Sequence, residues 1–96
     1  MSIVILGGLD RLKRNYEKSA RDMGFEVKVF SQRVPNFGER MSKVGGIVIF
    51  TGTVAHHMVN EAKLIARKYK IPVGRSHTSG VSGLKKCLGE LAQLGS

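Results

Sequence analysis

Ile3-Val4-Ile5-Leu6 is an unbroken apolar run that stops at Gly7-Gly8. Ile47-Val48-Ile49-Phe50 is a second, entered through Gly45-Gly46 and left through Thr51-Gly52-Thr53. Short apolar runs without alternation read as strands buried on both faces. Phe25, Val27 and Val29 instead alternate with Glu26 and Lys28, the pattern of a strand with one wetter face, which suits a sheet edge. Ile71-Pro72-Val73 predicts a short fourth strand, with Pro72 near its start, where a missing N–H is tolerated.

Between these runs the period lengthens to that of helices. Leu12, Tyr16, Ala20 and Met23 recur at helical spacing, with Asp10 predicted as the N-cap and Gly24 in the C′ position. Pro35-Asn36 predicts a turn, and Phe37, Met41 and Val44 share one face of a short helix. Thr51-Gly52-Thr53 is predicted to cap the next helix, whose stripe is Val54, Met58, Ala62, Ile65 and Tyr69. Thr78-Ser79-Gly80 opens a last helix carrying Val81, Leu84, Leu88 and Leu91 inward, before a Leu94-Gly95-Ser96 tail. Strands separated by helices imply right-handed crossovers and a parallel sheet. The expected fold is an α/β three-layer sandwich, Rossmann-like or flavodoxin-like. Its sheet has four parallel strands in the order 2-1-3-4, strands 1 and 3 central.

The chain has 96 residues, 42% of them apolar, which suits one domain over 1–96 with a modest core. The longest apolar run, Gly45 to Phe50, is far short of a transmembrane span, so no membrane association is expected. Met1-Ser2 leads straight into the first strand, without a basic leader or cleavage site, so no signal peptide is expected. The single cysteine, Cys87, has no partner for an internal disulfide and sits mid-helix beside Leu88, where it reads as packing. A cytoplasmic location follows as the expectation.

Charge changes the picture more. Sixteen basic and seven acidic residues leave a net +9, a balance that favours polyanions such as nucleic acid or phosphorylated ligands. The densest cluster, Arg11, Lys13, Arg14, Lys18 and Arg21, falls on the outer face of the first helix, where a solvated helix surface is the ordinary reading. Aromatic residues are few and sit at core-like positions. No stacking platform or helix-turn-helix pattern accompanies the charge.

In open parallel sheets, ligands bind outside the carboxyl ends of the strands, where the strand order reverses. Three loops are predicted to meet there: Gly7-Gly8-Leu9-Asp10-Arg11, Thr51-Gly52-Thr53 leading to His56-His57, and Gly74-Arg75-Ser76-His77-Thr78-Ser79-Gly80. All feed helix N-termini, whose free N–H groups attract anions. Gly7, Gly8, Arg11, Thr51, Thr53, His56, Arg75, Ser76, His77 and Ser79 are therefore the candidate ligand-binding residues, and an anionic small molecule the candidate ligand. The alternative is plain capping by Gly, Ser and Thr. Neither a dinucleotide fingerprint nor a P-loop is present. All three histidines follow strand ends. Near a helix N-terminus His56 and His57 are expected neutral, and a neutral His56 is the one candidate for haem or metal. Adjacent helical residues diverge by about 100°, so the pair does not chelate one ion. No catalytic set is assigned: Asp10 is the lone acid at the edge, so paired-carboxylate chemistry is not expected. Leu64, exposed beside His57, Glu61 and Lys68, suggests a homodimer contact.

Several of these residues carry a resemblance. The strand ending in Gly7-Gly8, the Leu12…Tyr16 helix closed by Gly24, and Ile47 to Phe50 followed by Thr51-x-x-Val54-x-His56 belong to it. So do Ile71-Pro72-Val73 and Ser79-Gly80-Val81-Ser82-Gly83-Leu84. Together they resemble the short bacterial proteins grouped as domain of unknown function 2325. The resemblance spans nearly the whole chain and implies a Rossmann-like bacterial protein without an activity to carry over. The histidine of that family's Val-Ser-His pattern falls on His56, with Ala55 in place of the serine and His57 added.

Overall fold

The computed structural model describes residues 1–31 and 35–94. Its elements are β1 (Ser2–Leu6), α1 (Lys13–Asp22), β2 (Glu26–Phe30), α2 (Phe37–Ser42), β3 (Gly46–Phe50), α3 (His56–Tyr69), β4 (Val73–Ser76) and α4 (Val81–Leu94), with a 3₁₀ turn over Asp10–Leu12. The four strands form one parallel sheet in the order β2-β1-β3-β4, as the apolar pattern predicted. Of the expected tail Leu94-Gly95-Ser96, Leu94 belongs to α4, and 95–96 lie outside the described residues.

Strand alternation splits the core in two. Ile3, Ile5, Val48 and Phe50 meet Tyr16 and Ala20 of α1 and Leu84, Leu88 and Leu91 of α4 on one face. Val4, Leu6, Ile47 and Ile49 meet Phe37 and Met41 of α2 and Met58, Ala62 and Ala66 of α3 on the other. β1 and β3 are thus buried from both sides, while β2 lies at an edge with Glu26 and Lys28 exposed. Among the described residues no helix is long and apolar enough to cross a membrane.

Four local expectations are corrected. Asp10 does not cap α1: it lies inside the 3₁₀ turn, and the residue before it, Leu9, offers no side-chain cap. The Leu12 N–H goes to the Leu9 carbonyl (2.9 Å), and the Leu9 N–H to the Tyr16 hydroxyl (3.1 Å). Thr51 and Thr53 do not cap α3 either, because that helix starts at His56 behind an extended Ala55. The fourth strand is Val73–Ser76 rather than 71–73. The Ile71 N–H is spent on the Ala66 carbonyl (2.8 Å), closing α3 behind a left-handed Lys70 (φ 57°). α1 closes in the same way, through Gly24 (φ 89°) and the Phe25 N–H on the Ala20 carbonyl (2.9 Å). Finally, Met23 and Tyr69 are exposed, not inward. Met23 lies beyond the last turn of α1, where helical spacing no longer sets direction. Tyr69 ends α3, with the Lys68 ammonium 5.5 Å from its ring centre.

Packing predicts the energetic contrast. Ile49 is fully buried, so Ile49→Ala should cost about 2–5 kcal/mol in urea unfolding. Leu64, 66% exposed, should change stability by less than about 0.5 kcal/mol on truncation to alanine.

Candidate functional site

The parallel sheet gathers the carboxyl ends of β1, β3 and β4 on one edge, and hydrogen bonds tie the following loops together. Gly7 and Gly8 hold φ of 86° and 90°, conformations that side-chain-bearing residues rarely adopt. Space forbids a side chain as well. A Cβ on Gly8 would lie 2.7 Å from the Tyr16 ring, and one on Gly7 would lie 2.9 Å from the Val54 Cβ. The chain therefore threads between α1 and the β3–α3 loop, and the Gly8 N–H donates to Thr53 Oγ1 (2.8 Å). Thr53 Oγ1 lies 2.9 Å from Ser79 Oγ, which brings in the loop after β4. Tyr16 completes the ring: its hydroxyl accepts from the Leu9 N–H and donates to the Ser79 carbonyl.

A second cluster lies beside the first. The Thr51 N–H donates to the Ser76 carbonyl (2.9 Å), adding one rung to the β3–β4 ladder. Thr51 Oγ1 lies 3.4 Å from His77 Nδ1. Ser76 Oγ donates to the Thr78 carbonyl (2.8 Å). Gly83 of α4 leaves the space that this hydroxyl uses, since a Cβ there would be 2.5 Å from Ser76 Oγ.

The ten candidate residues thus divide. Gly8, Thr53 and Ser79 are joined directly, Thr51 joins Ser76 and His77, and Gly7 anchors the first loop through its N–H on the Phe30 carbonyl (2.9 Å). Arg11, His56 and Arg75 are exposed, and among the described residues no side-chain hydrogen bond links them to either cluster. Arg75 and Ser76, predicted in a loop, belong to β4. Pleating sends Gly74 and Ser76 toward α4 and Val73 and Arg75 toward the α3 side, consistent with Val73 packing in the α2–α3 core.

Between β4 and α4 opens a groove of 330 Å³, lined by Arg75, Ser76, His77, Thr78, Gly83, Lys86, Cys87 and Glu90. Sequence reasoning missed Lys86 and Cys87, which come from the middle of α4 and carry no local motif. Their only signal was helical spacing from Gly83, read once the strand is known to end at Ser76. The buried Cys87 thiol points at the Arg75 carbonyl (3.5 Å). Burial, and then the Glu90 charge, push its pKa above the ordinary 9.0, so it stays protonated at neutral pH. Tyr16 was read from the sequence as core alone, and its fully buried ring does pack on Phe50 (centroids 5.0 Å apart). Its bridging of two loops was not legible.

Among the described residues no group of three His, Cys, Asp or Glu side chains is placed to hold a metal ion. The groove presents hydroxyls, an imidazole and an ammonium, with the Glu90 carboxylate beside them. The profile of a family described as an uncharacterized protein conserved in bacteria (DUF2325) matches residues 2–91. No curated protein matches the chain.

Removing the Tyr16 hydroxyl isolates its contribution. Tyr16→Phe keeps the ring packing but leaves the Leu9 N–H and Ser79 carbonyl unpaired, at a cost of about 1–3 kcal/mol. Hydrogen exchange at Leu9 should accelerate correspondingly, and unchanged exchange would show that the bridge does not hold the loops.

Proposed function

We propose that this chain, which belongs to the DUF2325 family of bacterial proteins, is a non-catalytic ligand-binding or regulatory domain for an anionic small molecule. The class covers phosphate, a nucleotide or a related oxyanion, held at the carboxyl edge of the sheet. One observation carries the reading: three loops distant in sequence are fastened to one another through Gly8, Thr53, Ser79 and Tyr16. Beside them the groove offers His77 and Lys86, with Arg75 on the adjoining edge strand. A fastened edge reduces the ordering cost of binding. The nearby basic groups repel one another, and an anion relieves that repulsion.

A second reading, nucleic-acid binding, is favoured by a separate observation. Arg11, Lys13, Arg14, Lys18 and Arg21 are all exposed on and just before α1. α4 packs beside α1 and adds the exposed Lys85 and Lys86 to the same layer. Phosphate contacts of this kind would be non-specific and salt-dependent.

Thermal-shift titration with phosphate, nucleotides and sugar phosphates tests the first reading. At least one of these anions should raise the melting temperature. His77→Ala and Lys86→Ala should each weaken binding roughly 10- to 100-fold, the equivalent of about 1.5–3 kcal/mol per charge-assisted contact. An equal response from the variants would overturn it. The second reading is tested by anisotropy with generic DNA and RNA. Affinity should fall steeply with salt, and reversing Lys13 and Arg14 to glutamate should flatten the log–log slope by about 2.

A further inference from the structure

The outer edge of β2 is complementary to itself. In the β1–β2 ladder the Glu26 N–H donates to the Met1 carbonyl (2.9 Å), and the Phe30 carbonyl accepts the Gly7 N–H (2.9 Å). Alternation places Lys28 in the same set. The N–H and C=O groups of Val27 and Val29 therefore point away from the sheet. β2 is the last strand on that side, so among the described residues no strand receives them. The Phe25 N–H is already spent on the Ala20 carbonyl (2.9 Å), which leaves only its carbonyl on the outward flank. Side chains sort with the same period. Val27 and Val29 are half-buried against the α1-side core. Glu26 and Lys28 stand exposed on the opposite face, in a strand paired in register Ser2↔Glu26 through Leu6↔Phe30.

We propose that β2 pairs antiparallel with β2 of a second copy of this chain, about a two-fold axis at Val27, so that the two sheets become one. In that register the two Val27 residues exchange both backbone hydrogen bonds. The Val29 N–H of each copy reaches the Phe25 carbonyl of the other, the one group there left free. On the exposed face Glu26 of each copy stands opposite Lys28 of the other, giving two opposed ion pairs; on the other face the Val27 side chains meet. Moving the axis by one residue, to Lys28, sets the two lysines directly opposite, at the closer spacing of a non-hydrogen-bonded pair. The charges therefore favour the register about Val27 over that about Lys28. Charged side chains on an edge strand also serve to repel unwanted pairing, but these two attract in the antiparallel two-fold arrangement. The other edge has no such pattern. β4 reads Val73-Gly74-Arg75-Ser76 with no acid, and the Cys87 thiol already approaches the outward Arg75 carbonyl.

Sedimentation equilibrium of the full chain, from micromolar to millimolar concentration, tests the pairing. The wild type should dimerise, with Lys28→Glu raising the dissociation constant roughly 10- to 100-fold by setting two acids opposite one another. The swapped double variant Glu26→Lys/Lys28→Glu should restore it. An equimolar mixture of Glu26→Lys and Lys28→Glu should form a mixed dimer more readily than either forms its own. Val27→Pro removes the outward N–H without removing a bond to β1, and its circular dichroism reports whether the fold survives. Folded Val27→Pro should be monomeric. Four results would each overturn the proposal: a wild type monomeric at the highest concentration, a Lys28→Glu dimer as tight as the wild type, a swap that stays dissociated, or a folded Val27→Pro that still dimerises.

Discussion

The architecture follows from one constraint: β1 and β3 are apolar on both faces. Ile3 and Ile5 need cover on one side of the sheet, and Val4 and Leu6 need it on the other. Two helical layers provide that cover. Each helix that crosses from one strand to the next leaves the following strand parallel to the one before. All strand carboxyl ends then fall on one edge, and all helix starts with them. The sheet also keeps two open flanks, β2 and β4. The edge where the loops gather and the open flanks of the sheet are thus separate consequences of the same burial.

At the carboxyl edge, polar groups divide into those that hold the loops and those left over. Tyr16 links the two kinds of order, since its ring is part of the core and its hydroxyl pins the loops after β1 and β4. Thr53 and Ser79 spend their hydroxyls on each other and on the Gly8 N–H. The cationic side chains Arg11, Arg75 and Lys86 are exposed. The scaffold thus keeps its short polar groups paired and its long cationic ones at the rim.

Much of this was written in the apolar pattern. Four strands, their order and the two-sided burial of β1 and β3 followed from unbroken runs at 3–6 and 47–50 and from alternation at 25–29. The closure of α1 was legible because Gly24 marks it. The matching closure of α3 was not, because Lys70 adopts the left-handed conformation without a glycine to signal it. The same closure took the Ile71 N–H out of the ladder and moved the start of β4 from 71 to 73 and its end from 73 to 76, into a segment holding Gly74 and Ser76. Helix starts were misread for a related reason. Asp10, Thr51 and Thr53 have the chemistry of caps, yet partners distant in sequence claim the threonine hydroxyls, and the Leu9 carbonyl takes the Leu12 N–H that an Asp10 cap would have served.

By itself, then, the sequence determined which residues leave water and with what period, and hence the layers, the direction of the strands and the edge where the loops collect. Hydrophobic burial depends on spacing along the chain, and spacing is local information. The tertiary structure alone decided which hydroxyl bonds which amide, that Lys86 and Cys87 join Ser76 and His77 in one groove, and which backbone groups of β2 face outward. Hydrogen bonds act over about 3 Å and are directional, so their partners exist only once distant segments have been brought to that distance.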